Sequence, residues 1–226
     1  MSVHDGHRSR LRAQLRTGGL DSFSDVQVLE LLLTYCNPRA DVNPLAHALL
    51  DRFGSLSAVL DATPEELAKL PGIGETASLL LSLMPQLFRR YSVDRCRPGQ
   101  ILGTTADAGR YLLPFFLGET EECVYLLCLD AAMKVLDCRK LFAGSINTVS
   151  ISVRKIVETA LLHRASSVVV AHNHTSGIAL PSCEDERTTA MLEQALETVS
   201  ILLADHIIIA DGDFVSMADS RMLRRR

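Results

Sequence analysis

The chain has 226 residues, 47% hydrophobic and 22% charged, the texture of one large globular domain or two small ones. Disorder, collagen-like repeats and coiled coil are excluded as descriptions of the whole, and no apolar stretch approaches the ~18 residues of a membrane span; the densest, 79–84, already contains Ser82. The net charge of −4, from 23 basic and 27 acidic residues, gives no electrostatic footprint for wrapping duplex DNA.

The opening residues MSVHDGHRSR lack the apolar core of a signal peptide, so a soluble, cytoplasmic protein without membrane partners is expected. Cys36, Cys96, Cys123, Cys128, Cys138 and Cys183 include no CxxC pair and read as reduced, mostly buried thiols.

Residues 1–92 read as short helices joined by turns. Leu29, Leu32 and Leu33 recur at helical spacing, as do Leu45, Ala48 and Leu49, then Leu56, Val59 and Leu60. Asp25, Asn43 (with Pro44 behind it) and Thr63-Pro64-Glu65-Glu66 read as helix starts; the last combines an N-cap, a proline in the first helical position and acids in the first turn. Nothing alternates for long with period two, so this half is all-α. The Pro/Gly run 95–100 reads as a linker, which puts the domains at 1–94 and 101–226.

Beyond it the texture changes. Thr104 and Asp107 frame a capping box for a helix to about residue 117. Strands are expected at 124–129 and 135–141 around a turn at 130–133, then an amphipathic helix at 152–164 and a buried strand at 167–171. A helix over 183–198 follows, then a hairpin of 207–210 and 214–217 around Asp211-Gly212. Mixed strands and helices make this half α/β or α+β.

The chemistry concentrates at 172–185. His172 and His174 follow directly on the apolar strand, and residues two apart in extended chain point to one side, so both imidazoles can converge at the strand's end. Two imidazoles and a carboxylate are the three-ligand set of a catalytic zinc, which keeps a fourth position for water. Asp185 supplies the carboxylate if the loop through Gly177 and Pro181 folds back. Ser182-Cys-Glu-Asp185 is also a good helix N-terminus needing no metal, but a cap does not account for two histidines upstream at strand spacing. His4 and His7 near the chain start, His47 and His163 on helices, and His206 at the opening of a strand read as structural or solvated.

His172-x-His174-x7-Ser182-x2-Asp185 resembles the metal motif of the JAMM (MPN-type) metalloproteases. The wider strings AHNHTSG…PSCEDERTT and DHIIIADGDFVSM resemble the RadC family of bacterial proteins. LFAGSINTVSISVRKIVETAL is similar to that family's segment before the metal strand, FGSLSAVLDATPEELAKLPGIGETAS to its helix-hairpin-helix region, and LRTGGLDSFSDVQVLELLL to its opening. Thr175 where the family usually has proline, Ile178-Ala-Leu180 in place of a more polar stretch, and Val153 before Arg154 are departures; none removes a ligand. The resemblance implies an MPN/JAMM-like domain of mixed sheet and helices over 101–226, behind a small all-α helix-hairpin-helix domain. It further implies Zn2+ on His172, His174 and Asp185, and a metallopeptidase or isopeptidase-like hydrolase acting on a peptide or protein substrate.

The resemblance also supplies a general base, Glu122 ahead of the strand at 124–129, taking a proton from the water that attacks an amide carbonyl, with Ser182 stabilising the developing oxyanion. From the residues alone, Glu119, Glu121 and Glu122 are a solvated loop face, Glu158 is a second candidate base, and Ser182 need only cap its helix. In the first half, Leu67-x-x-Leu70-Pro-Gly72-Ile-Gly74-x-x-Ala77 allows a tight turn, with φ > 0 expected at Gly74, and offers backbone N–H groups to phosphates without reading bases. Nine basic against ten acidic residues through position 92, and Glu75 beside the turn, make any DNA binding weak and non-specific, or the hairpin a packing module. The competing expectation is a DNA repair or recombination accessory protein with a structural or vestigial metal site.

Overall fold

In the computed structural model, residues 3–38, 40–144 and 153–223 are described, and the chain divides into two compact units, Met1–Phe88 and Arg89–Arg226. The first unit is helical: α1 (Val3–Gly18), α2 (Asp25–Cys36), α3 (Asn43–Phe53), α4 (Leu56–Asp61), α5 (Pro64–Leu67) and the greater part of α6 (Glu75–Arg95). The starts follow from local chemistry. Ser24 caps α2 in a box with Gln27, Ser55 caps α4, and Thr63 caps α5 in a box with Glu66. Leu29, Leu33, Ala46, Leu49, Val59, Leu67 and Leu81 close the core of this unit. Each fully buried leucine contributes about 1.5–3 kcal/mol of transfer free energy.

The turn between α5 and α6 corrects one expectation. The left-handed residue is Gly72, at φ +96°, with Leu45 Cδ1 3.4 Å from where a Cβ would sit. Gly74 is not in that region. Its carbonyl accepts from Ala77 N at 3.1 Å and Ser78 N at 3.0 Å, which makes it the N-cap of α6. The reversal of the chain is complete one residue before the helix, so the conformational demand falls on the earlier glycine.

The second unit is a five-stranded sheet of β1 (Cys123–Leu129), β2 (Val135–Ala143), β3 (Ser167–Asn173), β4 (Leu202–Ala210) and β5 (Asp213–Ser216), in the order β2-β1-β3-β4-β5. Every pairing is antiparallel except β3 with β4. Those two are joined through α9 (Cys183–Thr198), as a parallel pair requires a crossover. Alternation assigns the faces. Tyr125, Leu127, Val169, Ala171, Ile207 and Ile209 pack with α7 (Thr105–Phe116), whose buried Ala108, Leu112 and Phe115 fall at helical spacing. Val124, Leu126, Val168 and Val170 pack with α9 and α8 (Val153–Leu162). Strands covered on both faces are buried along their length, which is why β1 and β3 read as apolar runs.

Two sequence expectations change here. The run 95–100 is not a free linker: Arg95 ends α6, Gly99 N bonds Val135 O at 2.8 Å, Val135 N bonds Gln100 O at 2.8 Å, and Leu102 N bonds Met133 O at 2.9 Å. Proline and glycine mark an irregular path, and hydrogen bonding to the hairpin makes that path part of the fold. β4 begins at Leu202 rather than 207, so His206 lies inside the strand, fully buried, instead of opening it. The cysteines are free; Cys123 and Cys128 are buried and Cys183 is exposed. Among the described residues no helix is long and apolar enough to cross a membrane.

Candidate metal centre

β3 delivers His172 and His174 to the same side of its C-terminal end, and the first turn of α9 brings Asp185 against them. His172 Nε2 lies 3.0 Å from His174 Nε2 and 3.1 Å from Asp185 Oδ1, and His174 Nε2 lies 3.4 Å from Asp185 Oδ2. These three residues are the one group of metal-ligating side chains found among the described residues. Ligands bonded at ~2.0–2.1 Å to a tetrahedral ion stand ~3.3 Å from one another. The separations, two of them to different oxygens of one carboxylate, lie near that edge length, so the donor set suits zinc.

The cap and the candidate ligand are one device. Ser182 N and Ser182 Oγ both donate to Asp185 Oδ2, at 2.7 and 2.6 Å, while Asp185 N returns a bond to Ser182 Oγ at 3.2 Å. The capping box that starts α9 therefore turns the carboxylate toward the histidines. Burial alone would raise the Asp185 carboxyl, but hydrogen bonding and charge from His172, with the bonds from Ser182, hold it well below the usual carboxylate range. His174 is aimed by its own loop: Nδ1 meets Ile178 O at 3.2 Å, which points Nε2 at the cluster. Gly177 makes that loop possible, at φ +79° with Asp211 Oδ2 2.9 Å from where a Cβ would sit.

Sequence reasoning missed a third imidazole. His206 Nε2 stands 2.9 Å from His172 Nδ1, and His206 Nδ1 stands 2.6 Å from Thr189 Oγ1. Burial pushes the His206 imidazole down to about 3 from an ordinary 6.5, and the neighbouring His172 adds to the effect. The available signal was an Asp-His pair inside an apolar run, since a buried polar side chain must find partners. Asp205 does so as well, accepting from Ser216 Oγ at 2.6 Å and Ala218 N at 3.0 Å.

Glu122 directly precedes β1 and is half-buried. Val124, two residues on from Glu122, pairs with His172, so Glu122 stands just ahead of the end of β1 that lies nearest the two histidines. Asn173, between the two histidines, fixes this stretch: its Oδ1 accepts from Cys123 N at 2.7 Å and its Nδ2 donates to Glu121 O at 3.0 Å. Among the described residues nothing bonds the Glu122 carboxylate. Its neighbour Glu119 is no solvated loop residue; Arg89 and Lys140 grip it at 2.5 and 2.7 Å. Glu158 is exposed and held by Arg154 at 2.7 Å, one helical turn away on α8. Gly72 and Gly74 belong to the helical unit.

A family model described as RadC-like JAB domain matches residues 102–222, and one described as UPF0758 N-terminal matches residues 6–79. A UPF0758 protein of Stenotrophomonas maltophilia (strain R551-3) is 36% identical over 225 residues, covering 99% of this chain and 96% of its own. A UPF0758 protein of Vibrio cholerae serotype O1 (strain M66-2) is 35% identical over 208 residues, covering 92% and 93% respectively. One of Burkholderia mallei (strain SAVP1) is 35% identical over 209 residues, covering 92% of this chain and 75% of its own. With its mixed-sheet JAB domain behind an all-helical N-terminal region, the chain belongs to the UPF0758 family of RadC-like proteins.

Proposed function

We propose that this protein is a zinc-dependent hydrolase of amide bonds in a peptide or protein, with the ion held by His172, His174 and Asp185. The observation that carries the reading is the convergence of two imidazole nitrogens and one carboxylate at 3.0–3.4 Å. A structural site would normally be closed by a fourth protein ligand, whereas three protein ligands are the pattern of a catalytic one. Zinc bound there supplies a Lewis acid and brings the pKa of a water to ~7. Glu122 is the base: its carboxylate, unbonded among the described residues, precedes the end of β1 that pairs with His172, on a stretch that Asn173 pins on both sides, which suits it to accept a proton from the attacking water. Ser182 spends its hydroxyl on Asp185, so its first task is to orient that ligand; a substrate oxyanion would have to compete for the same hydrogen.

The test is turnover of a quenched peptide library by zinc-loaded wild type and by the Glu122→Gln chain. The variant is expected to retain one zinc per chain and to lose ~10²–10⁴-fold in rate, since a proton acceptor and no ligand is removed. Unchanged turnover would overturn Glu122 as the base and move the role to Glu158 or another group.

A second reading, weak non-specific DNA contact through the α5–α6 hairpin, draws on one observation: nothing lies within 4 Å of where a Cβ at Gly74 would sit, beside the N-terminus of a long helix.

A further inference from the structure

His206 is fully buried, and the chemistry above leaves it unused. It sits on β4 opposite Val170, on the same face of the sheet as His172 and one diagonal step away. Both of its nitrogens are spoken for, by His172 Nδ1 at 2.9 Å and by Thr189 Oγ1 at 2.6 Å. Thr189 in turn lies 2.6 Å from the backbone carbonyl of Asp185, one turn earlier on α9. The line therefore runs from one candidate ligand to the main chain of another through two buried residues.

The order of hydrogens along this line is forced from its far end. A carbonyl oxygen only accepts, so the single hydroxyl hydrogen of Thr189 goes to Asp185 O. Turning it to Met217 Sδ, 3.4 Å away, would leave two oxygens 2.6 Å apart with no hydrogen between them. Thr189 Oγ1 can then only accept from His206, so His206 carries its hydrogen on Nδ1. Neither His206 nitrogen faces a carboxylate, and a second hydrogen would place an uncompensated charge in the core. His206 Nε2 is thus bare and accepts from His172 Nδ1. With that hydrogen on Nδ1, Nε2 is the nitrogen of His172 left to face His174 and Asp185.

We propose that His206 and Thr189 are positioning residues that lock His172 in the Nδ1–H tautomer and so deliver its Nε2 lone pair to a divalent cation. The proposal rests on the reading of His172, His174 and Asp185 as a metal site, but its lock exists in the protein before any ion arrives. A metal-ligating histidine generally donates its second N–H to a carboxylate, a carbonyl or water. Here the acceptor is another imidazole, which works as an acceptor only because Thr189 and Asp185 O fix its own tautomer.

The experiment is long-range 1H–15N correlation of the histidine rings in the full chain stripped of metal, followed by zinc titration against a competing chelator. The expected result is a hydrogen on Nδ1 of both His172 and His206, with His206 Nε2 bare. His206→Gln, whose side-chain oxygen can still accept from His172, is expected to bind zinc within about 3-fold of wild type, while His206→Leu loses ~10–100-fold. A wild-type spectrum with no hydrogen on His172 Nδ1 overturns the lock without the need of any variant. A folded His206→Leu chain with wild-type zinc affinity overturns it too. Wild type that takes up no zinc yet carries the Nδ1–H tautomer would defeat the hydrolase reading and leave the lock standing.

Discussion

Ser182 carries more than one consequence at the scale of a single residue. As the N-cap of α9 its loss to alanine is expected to cost about 1 kcal/mol in urea unfolding. Because two of the bonds on Asp185 Oδ2 come from Ser182, the Ser182→Ala chain should also bind zinc ~10-fold or more weakly in a chelator competition. The stability loss without any change in zinc affinity would reduce Ser182 to a cap alone. The two roles that the sequence left as alternatives are joined because the box places its acidic member in the first turn, where the strand-borne histidines end. Asn173 acts in the same way one strand over: a single amide ties the chain on either side of Glu122 to the segment that carries both imidazoles.

At the scale of elements, the α5–α6 hairpin gives a prediction with opposite signs at two glycines. Gly72→Ala forces a side chain into the left-handed region against Leu45 and is expected to destabilise by about 1–2 kcal/mol. Gly74→Asp, at an N-cap with open space around it, should leave stability unchanged or slightly raised. If the hairpin touches phosphates, the full chain should shift duplex DNA at ~50 mM salt, lose the shift by ~200 mM, and lose it at either salt in the folded Gly74→Asp chain, whose carboxylate repels phosphate. No shift by the parent at the lower salt contradicts DNA contact. Elements of this kind were legible where local chemistry is self-sufficient. Thr63 and Glu66, Thr104 and Asp107, and the unbroken run Val168-Val169-Val170-Ala171 each announce what they form. β4 was misread at its start because Asp205 and His206 look like the edge of a strand. Their partners, Ser216 and Thr189, lie 11 and 17 residues away, so nothing local shows that their polarity is satisfied. The segment 95–100 was misread for the same reason, its hydrogen bonds going to a hairpin more than thirty residues on.

At the scale of the whole molecule, every part of the candidate site belongs to the second unit: Glu122 ahead of β1, both histidines on β3 and just past it, Asp185 and Thr189 on α9, and His206 on β4. The parallel β3–β4 pair is what gathers them. Its crossover runs through α9, so the helix that returns the chain to the sheet begins at the end of β3 and lays its first turn over the histidines. The sheet thus sets three donors in place before an ion is present, and the central claim is that these three, and no fourth side chain, hold it. Anomalous diffraction at the zinc edge from crystals of the full chain tests this most directly. The expected result is one peak at ~2.0–2.2 Å from His172 Nε2, His174 Nε2 and an Asp185 oxygen, with no further protein ligand. No zinc peak between these residues, or a fourth protein side chain closing the coordination, would contradict it.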